Sequence, residues 1–228
     1  MIERPVISSN PFDPSFEELP ASLPVFPLSG VLLLPRGKLP LNIFEPRYLN
    51  MTLDSIGSPS RMIGMIQPSD SEAQGKGSDL FRVGCAGRIT SFSESEDGRL
   101  LITLTGICRF KVTEELPLNR GYRRVKADWS AFHDDLTEEN PTKIDRVRLL
   151  QGLRDFFKLQ GITANWDAIE QSPDERLVTS LAMVCPFAPI EKQALLEASG
   201  TADRAAQMIA MIEMAVLGQA SDGEMARH

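Results

Sequence analysis

Histidine is almost absent from this chain: of 228 residues only His133 and His228 carry an imidazole. Any Ser-His-Asp or Cys-His centre would therefore be built on His133, because both arrangements need a base within hydrogen-bond reach of the nucleophile. His133 stands beside Asp134 and Asp135 in an acidic stretch that reads as a solvated linker, not a supported catalytic shell. Cysteine is scarce too. Cys85, Cys108 and Cys185 form no Cys-x-x-Cys pair, which argues against a disulfide framework and a structural zinc site. Each lies in apolar text, where a free cysteine acts as a small buried hydrophobe.

No apolar run approaches the roughly 18–20 residues that span a bilayer. The opening Met1-Ile2-Glu3-Arg4-Pro5 gives no basic region followed by an apolar one, so no signal peptide is read and the expected location is the cytoplasm. A phosphate loop is missing. Gly75-Lys76-Gly77-Ser78 invites the comparison, but residue 70 is Asp and residue 77 is Gly where the motif needs Gly and then Ser or Thr. The carboxylate pairs Glu114-Glu115, Asp134-Asp135 and Glu138-Glu139 are adjacent in sequence, whereas catalytic pairs come from separate elements meeting in a cleft. No metal-ligand spacing occurs. The residues thus call for no cofactor, no metal and no catalytic group, and the chain is expected not to be an enzyme.

What is present is ordinary globular text, 42% hydrophobic and 24% charged. The net charge of −7 is uneven: −3 over 1–20, +3 over 21–129 and −7 over 130–228. An acidic whole is a poor general nucleic-acid binder, since phosphate neutralisation needs basic excess. The one basic cluster, Arg120 to Lys126, would on an edge strand place Tyr122, Arg124 and Lys126 on one face. That face is the candidate nucleic-acid patch, the alternative to the reading below.

Residues 1–20, with Pro5, Pro11, Pro14 and Pro20, read as a flexible arm. From 21 to 129 short β-like runs alternate with turns: Val31–Leu34, Lys38–Phe44, Arg61–Ile66, Leu80–Phe92, Leu100–Thr105, Ile107–Val112 and Tyr122–Trp129. Glu96-Asp97-Gly98 is a hairpin turn, and Pro46 opens a helix to about Ile56. An acidic linker, 130–141, precedes a switch to helical period over 142–219, with 220–228 as a disordered tail. Asn140-Pro141 is read as the cap of a helix ending at Gly161, Ser172-Pro173-Asp174-Glu175 as a capping box, and Pro189 as the start of a further helix. The fold class is α+β.

The segment Leu23-Pro24-Val25-Phe26-Pro27-Leu28, with Val31–Pro35, Leu39-Pro40-Leu41 and Ile43-Phe44-Glu45-Pro46-Arg47-Tyr48, resembles the opening of the LON domain, the N-terminal substrate-binding domain of ATP-dependent Lon proteases. Arg61–Ile66, Arg82–Ile89, Leu104–Phe110 and Glu191–Glu197 follow in the family's order, so the resemblance covers about 22–217. It implies a PUA-like β-barrel or sheet followed by a helical bundle. It implies binding of polypeptides, unfolded or client proteins, as adaptor or regulator of a Lon-type or other ATP-dependent protease. No residue matches the family's ATPase loop or Ser-Lys dyad. Candidate contacts for an apolar groove are Phe26, Phe44, Tyr48 and Met51, to the extent that they are exposed. Gly84, Gly87 and Gly106 are expected at bulges or close backbone approaches.

Overall fold

The computed structural model describes residues 10–69, 79–137 and 143–225, with the side chains of 219–225 left aside. The chain divides into two compact units, Met1–Asn140 and Pro141–His228.

The first unit holds a mixed six-stranded sheet: β1 Ser22–Pro27, β2 Lys38–Ile43, β3 Met62–Ile66, β4 Val83–Glu94, β5 Leu100–Asn119 and β6 Tyr122–Asp128. β1 runs parallel to β3, while every other pairing is antiparallel. The pairings close on themselves through β5, β4, β3, β1 and β6, since β6 bonds both β1 and β5. Strand β5 makes this possible by its length of 20 residues. One of its edges is occupied by β4; the other is shared, with β2 on Leu100–Thr105 and β6 on Lys111–Asn119. β6 is therefore an interior strand and not the edge strand the basic cluster suggested.

Leu100–Thr105 and Ile107–Val112, expected as two strands, are one, because Gly106 marks a crossing and not a break. A Cβ at Gly106 would lie 2.0 Å from the Leu34 carbonyl oxygen. Val31–Leu34, expected as a strand, is instead irregular chain laid over this point, where Arg36 N–H donates to Gly106 O at 2.8 Å and Gly106 N–H to Gly37 O at 2.8 Å. Leu32, Leu33 and Leu34 are buried beneath it, so the apolar run reported burial and not strand pairing. Gly87 accepts the Leu33 side chain in the same way, beside a register shift in the β4–β5 ladder.

The core gathers Leu23, Val25, Met62, Ile66, Ala86, Cys108, Phe110, Val125 and Trp129. Phe110 is wholly buried, its ring edge-on to Trp129 at 5.7 Å and pressed so close to Gly64 and Gly84 that neither could carry a Cβ without displacing it. Burying such a ring stabilises by about 2–3 kcal/mol.

Residues 10–20, read as an arm, are tied down. A 3-10 turn spans Phe16–Glu18, Asp13 pairs with the buried Arg88 at 2.9 Å, and the Trp129 indole N–H donates to Pro20 O at 3.1 Å. Met1–Ser9 lie outside the described residues. The expected linker is folded as well. Ser130–Leu136 forms 3-10 helix, and the Asp135 carboxylate accepts from Arg109 Nη2 at 2.7 Å, from Nε and from the Arg109 backbone N–H at 2.9 Å. Both side chains of this pair are under a tenth exposed. Acidic text here is one half of a buried ion pair.

Helix α1, Pro46–Ile56, belongs to the same unit and has proline at its first turn. The second unit comprises α2 Arg146–Gln160, α3 Trp166–Gln171, α4 Asp174–Val184, α5 Pro189–Glu197 and α6 Thr201–Met225. α2 is capped by Asp145, whose side chain accepts from Arg148 N–H; Asn140-Pro141 lie outside the described residues. Gly161 ends it at φ 65°. Pro173, not Ser172, occupies the cap position of α4, with no side-chain cap bond. α6 continues through Gly218 to Met225, so 220–225 are helical where a tail is expected. Among the described residues no helix is long and apolar enough to cross a membrane.

Candidate functional site

The feature that draws the sequence candidates together is a groove of about 440 Å³ in the first unit. Its lining comes from the end of β1 (Phe26, Pro27), from Leu41 and Asn42 of β2, from Phe44 and Glu45 just before α1 and Arg47 and Tyr48 in its first turn, and from Tyr122 and Arg123 of β6. The volume suits a few side chains of a ligand.

Phe26 and Tyr48 make its floor, with ring centroids 4.1 Å apart, and both are largely buried. Phe44 is the exposed aromatic at 61%, one residue past the end of β2, with the Arg99 guanidinium 5.7 Å from its ring. Met51 is not part of this. It is fully buried, because it lies one turn beyond Tyr48 on the inward face of α1.

Charge at the groove is arranged in pairs. Glu45 stands at the cap position of α1, where its carbonyl accepts from Tyr48 and Leu49 N–H but its side chain caps no helix N–H; the carboxylate takes Arg47 Nη2 at 2.9 Å. That ties Arg47 above the Tyr48 ring at 4.6 Å. Burial holds the Tyr48 phenol above its ordinary value of 10.0, with Arg47 opposing and Glu45 adding to the rise.

Tyr122, named by sequence in the basic patch, also lines the groove. It follows the two-residue turn Arg120-Gly121, both at positive φ (48° and 92°), the backbone of a type I′ hairpin. Tyr122 is buried, its hydroxyl accepting from Asn119 Nδ2 at 2.6 Å and donating to Asp54 at 3.0 Å. Its phenol is also raised, by burial first, with Asn119 lowering it and Asp54 raising it. Asp54 further pairs with Arg120, and Asn50 accepts from Arg120 Nη2 at 2.8 Å, so α1 is stapled to the turn.

Within the patch Tyr122 is buried against Asp54 of α1 while Lys126 is exposed, and Arg124 and Lys126 stand opposite Pro24 and Ser22 of β1. Lys126 meets Glu114 at 2.5 Å and Arg123 meets Glu115 at 2.7 Å, so the Glu114-Glu115 pair serves these cations.

The remaining nucleophiles and bases are dispersed. Cys85, Cys108 and Cys185 are buried thiols; burial pushes Cys108 well up and Cys185 to about 12, so neither of these two is a thiolate near neutrality. His133 is exposed and its ring rests on Phe16 at 4.7 Å. Gly75–Ser78 and Glu138-Glu139 lie outside the described residues. Among the described residues no cluster of three or more His, Cys, Asp or Glu could hold a metal ion.

Known proteins share this fold. The Lon N-terminal domain protein from Xanthomonas campestris superposes with a TM-score of 0.57 at 23% identity, over 83% of this chain and 97% of that one. The N-terminal domain of Mycobacterium avium complex Lon protease gives 0.59 at 13% identity, over 84% and 98%. In sequence, Lon protease 2 of Myxococcus xanthus is 26% identical over 203 residues, and the Lon protease of Elusimicrobium minutum 25% over 210. Each alignment takes in 87% of this chain but 24% of the relative, so the chain spans about a quarter of these proteases. The family model for the ATP-dependent protease La (LON) substrate-binding domain matches residues 22–214. This chain belongs to the LON substrate-binding domain family.

Proposed function

We propose that the chain is a non-catalytic polypeptide-binding module that takes apolar, unfolded segments in the groove over Phe26 and Tyr48. It acts in the cytoplasm as an adaptor or regulator beside an ATP-dependent protease. The closed ring of strands is assigned to the PUA-like class. The observation that carries the reading is the groove itself: an aromatic floor and an exposed Phe44 rim in a substrate-binding family. Unfolded chains differ from folded ones in offering apolar side chains, which such a floor removes from water. The RNA reading lacks comparable support, because Arg120, Arg123 and Lys126 each face a carboxylate.

The test is fluorescence anisotropy with a labelled, reduced and carboxymethylated casein as permanently unfolded probe. Phe44→Ser should weaken binding about tenfold, equivalent to 1.4 kcal/mol, with an unchanged circular dichroism spectrum. Absence of binding by the unaltered protein, or equal affinity of the variant, refutes the assignment.

A further inference from the structure

Strand β2 is the terminal strand of the sheet: it bonds β5 on one side. Among the described residues, no hydrogen bond is made on its other side by the main chain of Lys38–Ile43. An open edge of this kind exposes N–H and C=O groups that another extended main chain satisfies in full.

The edge is not uniform. Pro40 carries no N–H, so its position offers a carbonyl alone. Amides alternate between the two edges of a strand. With Gly106 N–H bonded to Gly37 O, this register turns Leu39, Leu41 and Ile43 toward β5, so beyond Pro40 the open donor is Asn42, which with Leu41 also lines the groove. Phe44 stands exposed directly after β2. Hydrogen-bonding edge and apolar recess therefore share residues, as strand addition requires: main chain supplies affinity, and a recess takes alternate side chains. β4 is also open beyond its pairing with β3, which ends at Arg88, and exposes Phe92 among Ser91, Ser93 and Glu94, but it contributes no residue to the groove.

We infer that β2 is extended by a bound polypeptide, an extended apolar segment that pairs with Leu41–Ile43 as an added strand and sets alternate side chains into the groove. This rests on the polypeptide-binding reading and adds its geometry. It also assigns a role to the main chain of the ligand, so sequence tolerance follows: every unfolded segment carries the same amides.

The experiment uses the full chain and a fluorescein-labelled peptide of about six residues, the length of a typical strand, alternating Phe and Ser. Two further peptides carry N-methyl groups, one on every Phe amide and one on every Ser amide. In a strand these two sets of amides point to opposite edges. One methylated peptide should lose at least about tenfold in affinity while the other binds within about twofold of the parent. Amide hydrogen exchange at Asn42 should slow on binding the parent peptide, with Leu41 and Ile43, whose amides face β5, as internal references. Equal loss for both methylated peptides, no loss for either, or slowing at Ser91–Glu94 instead overturns strand addition and leaves the polypeptide-binding reading standing. No binding of the parent peptide overturns both.

Discussion

Removing the Asp135 carboxylate should do more damage than any other single change to an acidic residue of the first unit. In Asp135→Ala the Arg109 guanidinium keeps its burial, with 7% of the side chain exposed, and loses its carboxylate. The Arg109 backbone N–H loses its acceptor as well. Breaking a buried pair by deleting one partner costs about 3–5 kcal/mol, chiefly as the uncompensated buried charge. The assay is urea unfolding followed by Trp129 in a Trp166→Phe background. Trp129 packs on Phe110 and reports the first unit, whereas Trp166 sits in the second. With a slope of about 2 kcal/mol per molar urea, the midpoint should fall by roughly 2 M. The double variant Arg109→Met with Asp135→Leu should recover most of that loss, because replacing both members of a buried pair by apolar groups is close to neutral. A loss below about 1 kcal/mol for Asp135→Ala would match a solvent-screened pair and refute the argument. A double variant no better than the single one would show that packing of Ser130–Leu136, not charge, is what is lost.

Gly106→Ala should destabilise by more than about 3 kcal/mol, beyond the usual range for an added methylene, since its Cβ would meet Leu34 and Pro35 backbone, which cannot rotate away. Gly200→Ala, open within 4 Å, is the control, and thermal unfolding compares the two. The chain has two tyrosines, Tyr48 and Tyr122, and both are held above 10.0 in the folded state. A raised folded value means that the folding stability they contribute is intact below pH 10 and is lost as pH rises beyond it. Ultraviolet tyrosinate absorbance should therefore rise at higher pH in native buffer than in concentrated urea; coincident curves would refute the burial of both phenols.

How far the residues themselves disclosed all this varies with the kind of signal. Helix α1 was legible because Pro46 opens it, and the β4–β5 turn because Glu96-Asp97-Gly98 ends in a glycine, which adopts φ 81° there. Gly106 was rightly expected at a close backbone approach, but it also read as a break between two strands, because the chain that crosses it, Val31–Gly37, lies about seventy positions earlier. Phe26, Phe44 and Tyr48, named from one segment, all line the groove. That Tyr122 also lines the groove was not legible, because its contact with Asp54 of α1 joins positions 68 residues apart. The groove has no linear signature, since its walls come from positions 26–29, 41–48, 68 and 121–123.

The shared edge of β5 also sets an order of events for a chain made from its N-terminus. Until Tyr122–Asp128 is available, β1 has no antiparallel neighbour and the far half of β5 lacks a partner on one side. The nascent sheet then carries open borders at both places, each a template for mispairing. Arrival of a single seven-residue strand seals the two together. A frameshift or truncation shortly before residue 122 would thus be selected against as a source of aggregates, quite apart from any loss of binding.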